Sequence, residues 1–322
     1  MVGLHILMDG NNTAYRANCT TELYTKSGER TSAIMGVLNI THNVIENLSK
    51  EYNLPVKEVV YAWDLGHSPR RKAVFPEYKA NRKKGEERTD EDKQWMDEFI
   101  QQANILYESL PLFGVKCYRK KGWEGDDLIY ALSDAIVEKS PEDIAVIVST
   151  DEDFHQLISD RVHLYSPIKQ ILYTLDNYKE LMEIPQELFL TYKVLKGDSS
   201  DGIPGINGIG EKTAKQLVNT YGNLDQLLKS RAALMKSKRT AKIFTPEGLQ
   251  ILSRNNQLIN LRDYVDLSEI ADEIQEVVEE EPVVDVEGSR AFLMKYQLVS
   301  ILVKYKQWIV AFEDAAENYF SE

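Results

Sequence analysis

Apolar runs near positions 4–8, 59–63 and 144–148 each give way to an acidic residue. They read Leu4-His5-Ile6-Leu7-Met8-Asp9, Val59-Val60-Tyr61-Ala62-Trp63-Asp64 and Ile144-Ala145-Val146-Ile147-Val148-Ser149-Thr150-Asp151. Short, Val- and Ile-rich runs with few polar interruptions predict strands buried on both faces. Between them the apolar spacing is helical, which predicts helices near 31–51, 90–110 and 124–139, with a further strand near 115–118. Such alternation predicts an α/β fold: a mostly parallel central sheet with helices on both faces. Segments 162–166 and 171–174, separated by Pro167-Ile168-Lys169-Gln170, predict a hairpin at the sheet margin.

After about residue 185 the pattern becomes helical, punctuated by Gly and Pro between 197 and 210. The expected organisation is an α/β domain over 1–184 with a basic arch at about 68–112, a helical subdomain over 185–262, and a C-terminal region over 263–322. Within the last region the apolar residues of 290–313 are expected to fold back on the body.

Composition changes this picture in two places. With 322 residues and 43% hydrophobic content the chain fills one large or two modest cores. It has no apolar run of membrane-spanning length and no basic-plus-apolar leader, so a cytoplasmic monomer away from membranes is expected. Cys19 and Cys117 lie in unrelated segments, which fits a reducing compartment and argues against a zinc site.

The net charge of -13 speaks against a nucleic-acid partner until its distribution is considered. Eleven acids and no Lys or Arg fall between 263 and 287, a surface segment or linker by its polarity. Between 70 and 88 the sign reverses. Arg70, Arg71, Lys72, Lys79, Arg82, Lys83, Lys84 and Arg88 outnumber Glu77, Glu86 and Glu87 there, a stretch suited to a phosphate backbone.

In open α/β sheets the ligand crevice lies beyond the carboxyl ends of the strands. Asp9, Asp64, Asp151 and Asp153 are therefore candidates to meet Glu124, Asp126 and Asp127 at the start of the 124–139 helix. Two carboxylates ~4 Å apart repel by roughly 4 kcal/mol at an effective dielectric of about 20. Several such pairs exceed the usual stability margin of ~5–15 kcal/mol, so cations are required. Carboxylates without His or Cys favour Mg²⁺ or Mn²⁺, and a pair of such ions suits phosphodiester hydrolysis. Taken singly, each acid is equally a helix cap or turn residue.

A fifth segment adds Asp198 and Asp201 in Lys196-Gly197-Asp198-Ser199-Ser200-Asp201, followed by Gly205-Ile206-Asn207-Gly208-Ile209-Gly210-Glu211-Lys212. Glycines at 205, 208 and 210 let backbone N–H groups approach a phosphate at the next helix N-terminus, as in a helix-hairpin-helix element. An ordinary interhelical turn is the plainer reading of the same glycines.

Over roughly residues 1–265 the ordered motifs Met8-Asp9-Gly10-Asn11-Asn12, Ala62-Trp63-Asp64, Pro76-Glu77-Tyr78-Lys79-Ala80-Asn81-Arg82, Trp123-Glu124-Gly125-Asp126-Asp127, Ser149-Thr150-Asp151-Glu152-Asp153 and Gly197-Asp198-Ser199-Ser200-Asp201 resemble the 5′ nucleases of the flap endonuclease superfamily. The resemblance is strongest to stand-alone bacteriophage enzymes and to the nuclease domain of bacterial DNA polymerase I. It implies a metal-dependent 5′-3′ exonuclease or flap endonuclease, with primer removal of the RNase H type among its uses. Asp9, Asp64, Glu124, Asp126, Asp127, Asp151, Asp153, Asp198 and Asp201 are then the ligands of two ions, with Asp126 and Asp127 also central to catalysis.

The same resemblance makes Lys79 and Arg82 contacts of the scissile phosphate at the base of the arch, beside Tyr78. It makes Arg16 a phosphate contact and Tyr15 a base-stacking residue, with a core tyrosine as the competing reading. Arg70, Arg71, Lys83, Lys84, Lys193, Lys196 and Lys212 are expected along the nucleic acid. The loop of Gly205, Gly208 and Gly210 is expected to grip duplex DNA, with K⁺ a candidate ion there. Expected partners are branched, flapped or 5′-ended duplex DNA and RNA–DNA hybrid, with a replication protein as one use of the acidic C-terminal segment.

Two positions depart from the family pattern. Gly125 stands where alanine is usual, which loosens the helix start by ~0.5–1 kcal/mol, and Glu152 stands where glycine is common. Two other readings compete: a non-catalytic DNA-junction binder, against which retention of all nine acids argues, and a PIN-like ribonuclease, which lacks the arch and the glycine loop.

Overall fold

The computed structural model describes residues 2–82, 89–264 and 266–320. The chain opens with β1 (Leu4–Asp9), α1 (Gly10–Thr20), α2 (Ser32–Tyr52), β2 (Val56–Leu65), α3 (Pro69–Val74), α4 (Asp90–Ser109) and β3 (Lys116–Lys121). It continues through α5 (Gly125–Lys139), β4 (Ile144–Val148), β5 (Val162–Ser166), β6 (Ile171–Tyr173), α6 (Leu175–Met182) and α7 (Phe189–Lys196). Strands run in the order β3-β2-β1-β4-β5-β6, all parallel except the final β5–β6 pair. The parallel sheet and its marginal hairpin are thus as expected from the pattern.

Alternate residues of each strand feed opposite cores, as the period of two requires. Leu7, Val60, Ala62, Ala145 and Ile147 join α5 and the apolar residues of the helical subdomain in one core. Leu4, Ile6, Met8, Tyr61, Trp63, Val146 and Val148 join residues of α1, α2 and α4 in the other. At Gly10 the close approach of strand and helix is decisive, since a Cβ there would lie 2.4 Å from the Trp63 ring.

β3 runs three residues further than expected, through Arg119, Lys120 and Lys121. It is the outer strand of the sheet, where charged side chains reach solvent and also blunt the open edge.

The remainder is helical. A short antiparallel pair, β7 (Gly197–Asp198) and β8 (Ile203–Pro204), precedes α8 (Glu211–Tyr221), α9 (Leu224–Lys229), α10 (Arg231–Leu234), α11 (Pro246–Ile259) and α12 (Leu261–Tyr264). The acidic stretch, read as a surface segment or linker, instead contains α13 (Ala271–Glu279), which buries Ile274 and Val278 and packs on α5. Ile270, Ile274 and Val278 recur every four residues, an apolar stripe masked by the surrounding acids. Then α14 (Val286–Lys295), α15 (Val299–Leu302), α16 (Tyr305–Trp308) and α17 (Val310–Tyr319) bring Phe292, Trp308 and Phe312 into the second core.

Candidate active site

The sheet changes winding direction at β1, whose neighbours β2 and β4 lead to opposite edges. A crevice opens at such a switch point beyond the strand ends. Asp9 closes β1, Asp64 is the penultimate residue of β2, and Asp151 follows β4 by three residues. Asp9 also caps α1, its Oδ1 accepting from Asn12 N at 3.1 Å and its Oδ2 from the Ser149 hydroxyl at 2.9 Å. Asp151 caps the following turn by accepting from Asp153 N at 2.9 Å. Capping and crevice lining are thus compatible roles for one side chain.

Glu124, Asp126 and Asp127 open α5, with Glu124 and Asp127 forming a reciprocal capping box. Gly125 N donates to Asp64 Oδ1 at 2.5 Å, tying the helix start to β2. A Cβ at Gly125 would stand 3.3 Å from that same oxygen, so the glycine leaves Asp64 room at the cost of a less rigid first turn.

A second group forms around the β7–β8 loop. Asp198 Oδ1 accepts from Ser200 N at 2.8 Å and from the Ser200 hydroxyl at 2.5 Å. Lys193 Nζ lies 2.5 Å from Asp198 Oδ2 and 2.9 Å from Asp153 Oδ1. Tyr78 joins the two groups: its hydroxyl faces Glu124 Oε2 at 2.8 Å and Asp201 Oδ2 at 3.0 Å. One hydroxyl proton satisfies one of these oxygens, leaving the other in need of a positive charge.

Protonation follows the local balance of burial and charge. Burial, then Asp64, pushes Asp9 up to about 6. Burial, then Asp153, pushes Asp151 up to about 7. Asp64 is raised by burial with Glu124 adding, and Asp126 is raised well above its usual range by burial with Asp127 and Glu124 adding. Against its burial, Arg71 and Lys79 hold Glu124 down to about 2. Lys193 does the same for Asp198, also at about 2.

Lys79 stands at the centre of this field. Its Nζ lies 2.8 Å from Glu124 Oε2 and 3.8 Å from Asp201 Oδ2. Its backbone adopts φ 57°, a left-handed conformation uncommon outside glycine, fixed by a hydrogen bond from Lys79 N to Asp201 O at 2.8 Å. Arg82, largely exposed, pairs with Asp201 at 3.0 Å. Asn81 Nδ2 donates to Ser199 O at 2.8 Å, so the base of the basic segment is anchored to the acidic loop.

Four residues are not where a substrate contact would be. Arg71, expected along the nucleic acid, is buried and clamps Glu124, Asp126 and Asp127, its charge relieving the repulsion of three carboxylates there. Asp127, expected as a metal ligand, has both oxygens committed to Arg71 and one also to Glu124 N. Tyr78 and Lys193, likewise expected to touch nucleic acid, are buried between carboxylates.

Other expected contacts are accessible. Tyr15 is exposed and edge-on to Trp95 and Phe99, with ring centroids 5.3 and 5.6 Å away. Arg16, half-buried, is near enough to Asp9 to feel its charge. Lys196 pairs with Glu152 at 3.3 Å, so the extra acid has a partner. Arg70 lies over Trp123 and pairs with Glu269. Lys212 is exposed. Lys83 and Lys84 fall outside the described residues.

In the glycine loop, Gly208 takes φ 88° and Gly210 is the residue before α8, with open space where a Cβ would stand. Gly205 instead faces inward, where a Cβ would lie 2.1 Å from Lys196 O, so its absence of a side chain serves packing. Two basic residues that sequence reasoning missed flank Gly208: Lys242 Nζ approaches Asn207 Oδ1 at 3.3 Å, and Arg239 Nη1 approaches Thr213 Oγ1 at 3.5 Å. The basic stretch from Lys236 to Lys242, with Lys238 and Arg239 between, is the signal that marks them.

The donor set, hard carboxylate oxygens gathered beyond the strand ends, fits a hard divalent cation. Among the described residues no three or more His, Cys, Asp or Glu side chains stand in a ready-made cation cage. Ammonium and guanidinium groups separate them instead, those of Lys79, Arg71 and Lys193.

Comparison with known proteins gives a consistent result. Residues 4–183 match the family described as 5'-3' exonuclease, N-terminal resolvase-like domain, and residues 184–281 match 5'-3' exonuclease, C-terminal SAM fold. A 5'-3' exonuclease of Bacillus subtilis is 30% identical over 272 residues, covering 82% of this chain and 84% of that protein. DNA polymerase I of Rhizobium leguminosarum is 30% identical over 264 residues, 81% of this chain but 25% of the polymerase, so the chain spans about a quarter of that relative. Among solved structures, a T5 5'-exonuclease with divalent metal ions (zinc) bound superposes with a TM-score of 0.70 at 25% identity, over 86% of this chain and all of that one. Among the described residues no helix is long and apolar enough to cross a membrane.

Proposed function

Because this chain belongs to the 5'-3' exonuclease family, we propose that it is a structure-specific 5′ nuclease, hydrolysing phosphodiesters at flapped or recessed 5′ ends during replication and repair. The observation that carries this reading is the switch-point crevice, where Glu124 at the start of α5 and Asp201 of the β7–β8 loop flank Lys79, whose charge also reaches Asp9 of β1 and Asp64 of β2.

Asp9, Asp64, Glu124, Asp126, Asp151, Asp153, Asp198 and Asp201 would hold two Mg²⁺ or Mn²⁺ ions, directly or through water. Such ions supply an activated water and neutralise charge on phosphoryl oxygens. Asp127 and Arg71 keep the α5 ligands in place. Lys79, fixed by the Asp201 carbonyl, offers its ammonium to the charge that develops on the scissile phosphate. Arg82 and Arg16 orient the neighbouring phosphates, and the exposed ring of Tyr15 offers a stacking face to the terminal base.

We assign duplex binding to the 185–262 subdomain. The N–H groups at the start of α8, with Gly208, Gly210, Lys212, Arg239 and Lys242, form a base-blind phosphate grip. K⁺ at this loop belongs to the same proposal.

The test is cleavage of a 5′-labelled flap and of a 5′-labelled blunt RNA–DNA hybrid, with Mg²⁺ and with EDTA. Mg²⁺-dependent products that carry the 5′ label are expected, and their lengths separate flap cutting from end degradation. No product from either substrate in Mg²⁺ would remove the enzyme reading and leave a junction binder.

A further inference from the structure

The acidic segment lies across a basic patch beside the crevice. Register pairs Lys120 with Asp64 and Lys121 with Leu65, so both lysines lie at the carboxyl edge of the sheet, one strand outward from a candidate ligand. Lys121 is exposed. Next to them the Arg70 guanidinium rests over the Trp123 ring, 4.0 Å from its centroid. Two carboxylates of the acidic segment occupy these cations. Glu269 pairs with Arg70, while Glu273 pairs with Lys120 and accepts from the Tyr118 hydroxyl at 2.9 Å.

The position of the patch says what it would meet. Acids of β1, β2 and β4 lie at the centre of the sheet, whereas β3 forms one edge. Of the helical subdomain, α7 packs on the turn at 152–157 that follows β4, and α11 packs on α3, the helix that carries Arg70. The patch thus adjoins both the acids and the subdomain assigned to duplex binding, within reach of a strand that leaves the crevice toward β3. Exposed ion pairs are weak in water, so backbone phosphates exchange readily for the carboxylates of Glu269 and Glu273.

Resting on the nuclease reading above, we propose that Arg70, Lys120 and Lys121 form a second phosphate site, outside the catalytic crevice. It takes the backbone of the single-stranded 5′ segment, and Glu269 and Glu273 are intramolecular competitors that the strand displaces. The clustering of acids in 263–287 thus tunes how tightly the enzyme holds a flap.

Fluorescence anisotropy in EDTA, with a labelled 5′-flap duplex and the same duplex without a flap, tests this across a salt series. E269Q/E273Q is expected to tighten flap binding about three- to tenfold at low salt and to leave flapless duplex unchanged. K120A/K121A is expected to weaken flap binding and to flatten its logarithmic salt slope by about 1.4, from roughly 0.7 per lost single-strand phosphate contact. Unchanged flap binding in both variants, or equal changes with both substrates, overturns the second site. If the wild-type protein cleaves neither substrate once Mg²⁺ replaces EDTA, the nuclease reading itself fails, a result distinguishable from loss of the patch alone.

Discussion

Arg71 grips Asp127 with two prongs, Nη1 to Oδ2 at 3.0 Å and Nη2 to Oδ1 at 2.8 Å, deep beneath the start of α5. The same guanidinium reaches Glu124 and Asp126, so one buried cation balances three carboxylates. Removing one partner of a buried ion pair leaves uncompensated charge and costs about 3–5 kcal/mol. Arg71→Ala is expected to lose stability on that scale in urea unfolding without divalent ions. A loss under about 1 kcal/mol would mean that Arg71 is not the electrostatic keystone of this cluster.

Which basic residues turn inward was not legible in the sequence. Arg70 and Arg71 are adjacent in α3 and identical in type, but successive helical residues point about 100° apart, at 3.6 per turn. One meets Trp123 at the surface and the other the buried acids. Lys193 resembled an exposed helix lysine until the return of β7 placed Asp198 against it. By contrast, the acids at the ends of β1, β2 and β4 were legible, since strand direction alone sends them to one edge. The α13 stripe was readable at 270, 274 and 278, but charge density outweighed three apolar residues.

Lys79 separates backbone strain from chemistry. Its left-handed conformation costs a non-glycine residue about 1–2 kcal/mol. Lys79→Gly removes that strain together with the ammonium paired to Glu124, so its loss of folding stability is expected to fall short of the about 3–5 kcal/mol of Arg71→Ala. Cleavage under single turnover is expected to fall about 10²–10³-fold, the range for loss of one transition-state electrostatic group. Parallel losses of stability and rate would make Lys79 a structural residue.

Divalent ions are expected to reverse a stability order. Asp9 and Asp151 sit among like charges, so D9N/D151N is expected to melt at or above the wild-type temperature in EDTA. In Mg²⁺ at about 100 times Kd the wild-type protein gains about 2.7 kcal/mol per site, and the variant falls below it. Asn keeps the capping acceptors at both positions. Thermal melts in the two conditions check this, and an unchanged order would contradict ion binding at these carboxylates.

At the opposite end of the sheet, His5 Nδ1 lies 2.5 Å from Glu58 and Nε2 lies 3.0 Å from Asp143, with Lys116 and Lys57 behind the two acids. Burial opposes a charged ring, but hydrogen bonds to Asp143 and Glu58 outweigh it and raise the His5 pKa above 6.5. Its stabilisation is therefore complete below about pH 6.5, the unfolded value, and is lost as pH rises through the folded one. Glu58 and Asp143 are lowered, so their contribution is present above about pH 4 and lost in acid. The stability difference between wild type and His5→Gln, from urea midpoints at pH 5.5 and 9, is expected to shrink at the higher pH. A constant difference would contradict a charged His5.

Cleavage of a 5′-labelled flap substrate in Mg²⁺ by wild-type protein and by D9N/D151N, with folding of both verified by circular dichroism, tests the crevice assignment most directly. Wild-type protein is expected to release labelled 5′ products and the variant to release essentially none. Full activity in the folded variant, or none in the wild type, would contradict the assignment of this crevice as the catalytic centre.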